Sequence, residues 1–239
     1  MSLPPLDRRC ALFLDLDGTL LHIAQRPQDV RVDDALIALL GLLQGRLAGA
    51  LAVISGRPLR ELDALLAPLV LPGAGQHGAE RRTAAGEVRW YAPRAPAAAA
   101  RQLAAFAAAH PGLILEDKGA SLALHYRLAP GLADKVQRQM QSLAAELAPQ
   151  MHLLVGKMVC ELKPAGSNKG TAIAQFMEER PFRERLPVFL GDDVTDEYGF
   201  EAVNRMGGLS AKVGPGKTAA KFRLPDVDAV HAWLASTRL

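Results

Sequence analysis

The segment ALFLDLDGTL, residues 11–20, constrains the fold of this chain more than any other. It opens with an apolar run, residues 11–14, that does not alternate with polar residues, as expected of a central parallel strand buried on both faces. Asp15 and Asp17 follow at the carboxyl end of that strand. In open α/β sheets, ligands bind in the crevice beyond the carboxyl ends of the strands. The segment therefore predicts an α/β fold with a site at this edge of the sheet.

Asp15 and Asp17 are separated by one residue, so their side chains should point the same way while Leu16 points into the core. Two carboxylates that face one cavity can bind a hard cation and can act as a nucleophile and an acid–base pair. Gly18 permits a tight turn, and the hydroxyl of Thr19 could hold Asp17 in place. Asp and Gly also favour turns for local reasons, so a plain turn is the alternative interpretation of this motif.

The length and composition indicate a globular protein. The chain has 239 residues, of which 49% are hydrophobic, which is enough for one large domain or two smaller ones. Its net charge is only +3 and its basic residues are scattered, which excludes a nucleic-acid-binding surface. The longest nearly apolar runs, 35–43 and 47–54, are shorter than the roughly 18 residues that a membrane span needs, and the N-terminus lacks the apolar region of a signal peptide.

The two cysteines, Cys10 and Cys160, have neither CxxC nor zinc-ligand spacing. They therefore predict reduced thiols that serve as small core residues. Together with the missing membrane and export signals, this pattern predicts a cytoplasmic location.

Two further strands and one helix start carry polar side chains. Residues 50–54 predict a second buried strand, followed by Ser55, whose hydroxyl could hold a phosphate oxygen or could simply cap the next helix. Lys169 falls in the first turn of a helix, where a cation opposes the helix dipole, and this misfit indicates a functional role. A later apolar strand ends at GDDVTD, which contains Asp192 and Asp196. A parallel sheet would bring all of these ends to one crevice.

The middle of the chain departs from the α/β order. Residues 93–162 predict a helix and two strands, twice over (αββαββ), which is an α+β unit inserted into the α/β chain. The α/β core would then comprise 1–92 and 163–239, with proline-bearing segments at both borders.

The predicted strands of the insert carry charged side chains. Glu116 and Lys118 share a strand face, and Glu161 interrupts an apolar strand. These residues could form the solvated side of a sheet, or they could bind a polyhydroxylated ligand if that face covers the acidic pair. Arg127 in the insert and His77 in a glycine-rich segment of the core are weaker candidates.

Together these motifs resemble the haloacid dehalogenase (HAD) superfamily of phosphotransferases, whose four signatures correspond to DLDGTL, Ser55, Lys169 and GDDVTD. A narrower resemblance, to the trehalose-6-phosphate phosphatases, covers nearly the whole chain. It is carried by DLDGTL, ISGR (54–57), GQHGAE (75–80), ELKPAGSNKG (161–170) and GDDVTDE (191–197). The resemblance implies a Rossmann-like core, in which helices flank a parallel sheet, and a mobile cap domain formed by the insert.

The resemblance also implies roles for the core residues. Asp15 would be the nucleophile and Asp17 the acid–base. A Mg²⁺ ion would be held by the side chains of Asp15 and Asp192 and by the main-chain carbonyl of Asp17. Asp196 would hold these ligands in place without binding the ion itself. Such a hard cation prefers oxygen ligands, which these residues supply.

The remaining implied roles concern the substrate. Ser55 would orient the transferring phosphoryl group, and Lys169 would neutralise its charge. Glu116, Lys118 and Glu161 would bind the sugar. The sequence offers Arg57, His77 and Arg127 as additional, weaker substrate contacts.

The expected function is therefore Mg²⁺-dependent hydrolysis of trehalose 6-phosphate through an aspartyl phosphate, in trehalose biosynthesis, with a functional link to trehalose-6-phosphate synthase. The nearest alternative is a related capped phosphatase for sucrose phosphate or mannosyl phosphoglycerate, because only the cap would distinguish these sugars. A phosphomutase, which uses the same aspartyl phosphate, is a less favoured alternative. A non-catalytic sugar-phosphate sensor is a different class, and the intact acidic motifs and Lys169 count against it.

Overall fold

The computed structural model describes residues 3–23 and 30–237. The chain forms two compact units, a larger one of Met1–Arg89 and Asn168–Leu239 and a smaller one of Trp90–Ser167. The strands and helices are, in chain order, β1 (Cys10–Leu14), α1 (Asp34–Arg46), β2 (Leu51–Ile54), α2 (Leu59–Leu66), β3 (Gly73–Gly75), β4 (Glu80–Arg82), β5 (Val88–Trp90), α3 (Ala97–Ala108), β6 (Ile114–Asp117), β7 (Leu122–His125), α4 (Ala133–Glu146), β8 (Met151–Gly156), β9 (Val159–Pro164), α5 (Lys169–Met177), β10 (Leu186–Gly191), α6 (Glu197–Arg205), β11 (Leu209–Val213), β12 (Phe222–Leu224) and α7 (Val227–Ser236). None of the helices in the described ranges is both long and apolar enough to cross a membrane.

The larger unit is built on an eight-stranded sheet in the order β12-β11-β10-β1-β2-β3-β4-β5. β1 pairs in parallel with β10 on one side and with β2 on the other, and all five of its residues are buried. This confirms the central parallel strand that the apolar run predicts. The predicted α/β class is confirmed as well, since helices intervene between the parallel strands.

Three neighbouring parallel strands create the edge at which the motifs meet. β10, β1 and β2 lie side by side and end at Gly191, Leu14 and Ile54. Because parallel strands point in one direction, the residues that follow these three ends emerge at the same edge of the sheet.

The start of α5 is fixed by local hydrogen bonds. The side chain of Asn168 accepts a hydrogen bond from the backbone N–H of Thr171 at 2.9 Å, and the N–H of Asn168 donates to the Thr171 hydroxyl at 3.1 Å. This reciprocal cap satisfies amides that the first helical turn leaves without intrahelical partners. The cap fixes the first turn, and so fixes the backbone from which Lys169 projects.

The smaller unit has a four-stranded antiparallel sheet in the order β6-β7-β9-β8. Its helices α3 and α4 contact these strands, and the helix–strand–strand order occurs twice, as predicted. Leu122, Leu124 and Leu162 are fully buried in its hydrophobic core. The intervening residues, such as Ala123 and Glu161, lie on the opposite face because side chains alternate along a strand. The unit extends beyond both ends of the predicted insert, 93–162, and the assignment of that insert as a cap domain stays a prediction.

Two strands of the larger sheet, β5 and β12, are not predicted by the sequence pattern. Each has only three residues, and neither contains a buried one. A strand that short, without a buried face, leaves no periodic signal in the sequence.

The core of the larger unit contains an aromatic cluster. Phe176 has its ring centroid 4.9 Å from that of Phe182 and 5.9 Å from that of Phe13, and the guanidinium of Arg81 lies 4.6 Å above its ring. We expect Phe176→Ala to lower the free energy of unfolding by about 3–5 kcal/mol, because it opens a cavity in this core. Tyr198→Ala, which truncates an aromatic side chain that is 52% exposed, should change it by only about 0.5 kcal/mol. Equal losses in urea unfolding would contradict the packing argument.

Candidate active site

A buried ammonium group joins the two acidic motifs. Nζ of Lys169 donates to Oδ1 of Asp15 at 2.6 Å and to Oδ1 of Asp196 at 2.7 Å, and all three side chains are buried. The structure thus brings together residues from the end of β1, the start of α5 and the loop after β10, as predicted. Lys169 faces carboxylates, and this contact explains why the sequence tolerates a cation at a helix start.

Both carboxylate oxygens of Asp196 accept hydrogen bonds from neighbouring groups. One of its oxygens, Oδ1, accepts from Lys169, and the other, Oδ2, accepts from the backbone N–H groups of Asp192 and Asp193 at 3.0 and 2.9 Å. Because both oxygens are engaged, Asp196 fixes the loop that carries Asp192 and orients Lys169.

Thr19 contacts a different carboxylate from the one expected. Its hydroxyl donates to Oδ2 of Asp15 at 3.2 Å, so the prediction that it holds Asp17 is wrong. The reason is the tight turn after β1, in which the N–H groups of Leu20 and Leu21 both donate to the carbonyl of Leu16. The turn folds the chain back and brings the hydroxyl of Thr19 to the carboxylate of Asp15.

Asp17 is held instead by Arg57 from the ISGR motif. The guanidinium donates from Nε to Oδ2 of Asp17 at 2.6 Å and from Nη2 to Oδ1 at 2.8 Å. This two-point geometry orients a carboxylate more strictly than a lysine could. The sequence suggested Arg57 as a substrate contact, and that remains a prediction; the structure shows its guanidinium bound to Asp17 and, at 3.5 Å, to Glu61.

Asp15, Asp192 and Asp196 form a cluster that could hold a cation. Each of them offers a carboxylate oxygen, and these three oxygens lie within 4.8 Å of one another. Oδ1 of Asp192 is buried and has no hydrogen-bond partner within residues 3–23 and 30–237. A ligand set made only of oxygen atoms suits Mg²⁺. Of these three carboxylates, Asp192 is the one that keeps an oxygen without a hydrogen bond in the described ranges, so its side chain is the most open to a cation.

The charges of the cluster also favour a bound cation. Burial and the charge of Asp196 raise the pKa of Asp15 well above its usual value, and the same two causes raise the pKa of Asp192 to about 6. Burial alone would lower the pKa of Lys169, but Asp15 and Asp196 outweigh it and raise that pKa. One ammonium among these carboxylates leaves excess negative charge, which a divalent cation would offset.

The loop after β2 lies against a left-handed turn. Ser55 is 1% exposed, and its hydroxyl accepts from the N–H of Arg57 at 3.1 Å. His77, with a φ of 56°, donates its N–H to the carbonyl of Ser55 at 3.0 Å, and its ring packs on Gly56. The structure thus places His77 against the Ser55 loop, while its contact with substrate stays a prediction.

Glu80 performs a structural task that the sequence did not reveal. It is buried, and its Oε1 accepts from the N–H of Leu59 and from the side-chain amide of Gln76, both at 2.9 Å. It therefore satisfies the start of α2, where Pro58 provides no side-chain cap. A partner 21 residues away in sequence leaves no local signal.

The three predicted sugar contacts lie on one face of the smaller sheet. Glu116 and Glu161 both pair with Ala123 of the central strand β7, one from each side. Nζ of Lys118 donates to Oε2 of Glu161 at 3.2 Å, and the hydroxyl of Ser121 donates to Oε1 of the same residue at 2.6 Å. The antiparallel register therefore gathers residues that lie far apart in the sequence.

His125 extends this polar face and was not predicted as a site residue. Its Nε2 lies 2.8 Å from Oε2 of Glu116. Burial would raise the pKa of Glu116, but the hydrogen bond with His125 and the charge of Lys118 outweigh burial and lower it. Glu116 is thus kept as a charged acceptor. Arg127, the weakest of the predicted contacts, lies two residues beyond β7 and is partly exposed.

Comparison with known proteins gives an independent finding. The family described as Trehalose-phosphatase matches residues 13–228. The chain is 49% identical over 235 residues to the trehalose-6-phosphate phosphatase of Escherichia coli (strain K12), covering 97% of this chain and 87% of that protein. It is 36% identical to the bifunctional trehalose-6-phosphate synthase/phosphatase of Thermoproteus tenax, covering 97% of this chain but 32% of that protein.

Solved structures agree with the fold. The crystal structure of a trehalose-6-phosphate phosphatase related protein is 28% identical, with a TM-score of 0.78, covering 94% of this chain and 95% of that one. A phosphatase of the haloalkanoate (HAD) superfamily from Bacteroides thetaiotaomicron is 17% identical, with a TM-score of 0.62, covering 98% and 97% of the two chains. The latter likeness shows the HAD fold.

Gly18 lets the two acidic loops approach each other, and this contact can be tested. It has a φ of +85°, and a Cβ there would lie 2.2 Å from Oδ2 of Asp192. Gly86 is a matched control, with a φ of +87° and no atom within 4 Å of an added Cβ. We expect Gly86→Ala to cost about 1–2 kcal/mol of stability from backbone strain. Gly18→Ala should cost about 1–3 kcal/mol more, because it displaces Asp192. Equal costs in urea unfolding would show that the loops are not in close contact.

Proposed function

Because the chain belongs to the trehalose-phosphatase family of phosphoric monoester hydrolases, we propose that it hydrolyses trehalose 6-phosphate to trehalose and phosphate through an aspartyl phosphate, with Mg²⁺. The observation that carries the mechanism is the contact of Lys169 with both Asp15 and Asp196. It places a fixed positive charge beside the carboxylate that would attack phosphorus, where negative charge must be stabilised.

In the first step a carboxylate oxygen of Asp15 attacks phosphorus, and the bond between phosphorus and the sugar oxygen breaks. The leaving sugar alkoxide is strongly basic, so it needs a proton, which Asp17 donates. In the second step Asp17 accepts a proton from water as the water oxygen attacks phosphorus. The bond from phosphorus to Asp15 then breaks, and phosphate leaves. Arg57 holds the carboxylate of Asp17 in one orientation and favours its charged form, which is the form that accepts the proton from water in the second step.

The residues around Asp15 fit a magnesium ion. Its ligands would be the Asp15 carboxylate, the main-chain carbonyl of Asp17 and the Asp192 carboxylate, whose buried Oδ1 has no hydrogen-bond partner in the described ranges. When bound, Mg²⁺ supplies positive charge that polarises the phosphoryl oxygens. Asp196 would keep Asp192 in place through the two backbone N–H groups that it binds.

Sugar recognition is proposed for the smaller unit. The core motifs can bind a phosphoryl group but contain nothing that distinguishes one sugar from another, so selectivity requires other residues. Glu116, Lys118 and Glu161 offer charged groups that can hydrogen-bond several hydroxyls, and they lie on one sheet face. A cap role for this unit would also exclude water from the phosphoryl site.

The setting of the reaction follows from the substrate. Trehalose 6-phosphate has to be supplied by a synthase, and the Thermoproteus tenax relative is named as a bifunctional synthase/phosphatase. We therefore propose a functional link with a trehalose-6-phosphate synthase. A cytoplasmic location is proposed from the free thiols of Cys10 and Cys160, both of which are buried.

The roles of Asp15 and Asp17 can be separated by the leaving group. Asp15→Asn should abolish phosphate release from every substrate, because the nucleophile is lost. Asp17→Asn should nearly abolish hydrolysis of trehalose 6-phosphate but should still let p-nitrophenyl phosphate, whose leaving group needs no proton, phosphorylate Asp15. That phosphoenzyme should then accumulate, since its hydrolysis needs the base, and mass spectrometry would detect it.

Asp134→Asn, at an exposed position of α4, is the matched control and should leave turnover unchanged. A chelator should stop phosphate release by the native protein, and added Mg²⁺ should restore it. Turnover by the Asp15→Asn variant would disprove the nucleophile, and full activity after metal removal would disprove the Mg²⁺ requirement.

Sugar selectivity can be tested with two substrates. Glu116→Ala, Lys118→Ala or Glu161→Ala should lower kcat/KM for trehalose 6-phosphate by roughly 10-fold or more, about 1.4 kcal/mol or greater. Hydrolysis of p-nitrophenyl phosphate should fall much less, because that ester has no sugar hydroxyls to bind. Lys135→Ala, an exposed charge on α4, is the control for Lys118 and should leave both rates unchanged.

Each outcome of this comparison has a distinct meaning. A parallel decline with both substrates would mean that the three residues serve folding of the smaller unit. No decline with either substrate would place the sugar site elsewhere. Trehalose 6-phosphate should also be preferred over sucrose 6-phosphate and glucose 6-phosphate, and the opposite preference would favour the related phosphatases for other sugars.

A further inference from the structure

Lys212 is a buried cation that the reaction described above does not use. It lies on β11, directly opposite Gly191, the last residue of β10, in the parallel register of the two strands. Only 6% of the residue is exposed. Its Nζ donates to the main-chain carbonyl oxygen of Asp192 at 2.5 Å. A buried ammonium has to be satisfied by acceptors, so this contact defines where the side chain can lie.

The contact completes the fixing of Asp192. The N–H of Asp192 donates to Oδ2 of Asp196 at 3.0 Å, and its carbonyl accepts from Lys212. The residue is therefore held by its backbone on both sides, by two different elements of the sheet edge. What remains without a hydrogen bond, within the part of the chain that the structure describes, is the buried oxygen Oδ1 of its carboxylate.

We propose that Lys212 is a positioning residue for the cation site: it holds the backbone of Asp192 so that the free carboxylate oxygen stays beside Asp15. This inference rests on the magnesium site proposed above. Groups that orient metal ligands commonly change metal affinity by 10-fold or more when they are removed. Lys212 would act in this way through a peptide carbonyl, without touching either the metal or the substrate.

The positive charge of Lys212, taken by itself, would change Mg²⁺ affinity in the direction opposite to its positioning role. An ammonium close to a divalent cation repels it, so removal of the charge alone would tighten Mg²⁺ binding. Loss of positioning would weaken it, because Asp192 could then turn away from Asp15. The sign of the change in Mg²⁺ affinity therefore distinguishes positioning from simple charge balance.

The test is calorimetric titration of the full-length protein with Mg²⁺, without substrate. Lys212→Met keeps an unbranched chain as far as the ε carbon but removes the ammonium donor, and we expect it to weaken Mg²⁺ binding by about 10-fold or more. Lys212→Arg keeps both donor and charge and should bind within about 3-fold of the native protein. Lys212→Gln has a shorter, neutral donor and should also weaken binding, which keeps the test open if the Met variant does not fold.

Two controls make the result specific. Lys221 also donates to a backbone carbonyl, that of Gly208 at 2.9 Å, and within the described residues it forms no ion pair with Asp15, Asp192 or Asp196, so Lys221→Met should leave Mg²⁺ affinity unchanged. Asp192→Asn tests the site itself and should lose most of the binding.

The possible outcomes separate the two proposals. Unchanged or tighter binding by Lys212→Met, while Asp192→Asn binds weakly, would overturn the role of Lys212 and leave the metal site standing. Native affinity in Asp192→Asn would overturn the metal site. Equal weakening in Lys212→Met and Lys221→Met would mean a general effect on the fold and would also overturn the role of Lys212.

Discussion

The contact of one buried ammonium with two buried carboxylates is the interaction on which this structure depends. Lys169 begins α5, Asp15 directly follows β1 and Asp196 follows β10, so a single side chain ties together three elements that are distant in sequence. Removing one partner of such a buried pair typically costs about 3–5 kcal/mol, because it leaves an uncompensated charge. The groups that build the site are therefore also groups that hold the edge of the sheet together.

The carboxylates at this edge have different sets of hydrogen-bond partners, although Asp15 and Asp196 share Lys169. Asp15 faces Lys169 and Thr19, Asp17 faces the guanidinium of Arg57, and Asp196 is taken up by Lys169 and backbone amides. Carboxylates with identical intrinsic chemistry thus have different surroundings, and this difference would let them take the separate roles proposed above. Asp192 differs from the other three in keeping a buried oxygen without a hydrogen-bond partner in residues 3–23 and 30–237.

The smaller unit has an antiparallel sheet, and its polar side chains lie on a sheet face and not at a sheet edge. Its antiparallel sheet packs helices against one face, which leaves the alternate residues of each strand for polar contacts. Glu116 lies in β6, Lys118 directly follows that strand and Glu161 lies in β9, and Ser121 and His125 hydrogen-bond with the two glutamates. We thus propose phosphoryl chemistry for a parallel sheet edge and sugar selectivity for an antiparallel sheet face, so that either could change without the other.

The sequence by itself determined the α/β class, the central strand, the αββαββ insert and the acidic motifs, because each leaves a local signal: an unbroken apolar run, a change of periodicity or a polar residue at a strand end. Only the tertiary structure decided which groups meet. It paired Thr19 with Asp15 and Arg57 with Asp17, set Glu80 at the start of α2, and brought Lys212 to the carbonyl of Asp192. The physical reason is that a hydrogen bond between residues far apart in sequence depends on strand register and turn geometry, which no local pattern of residues records.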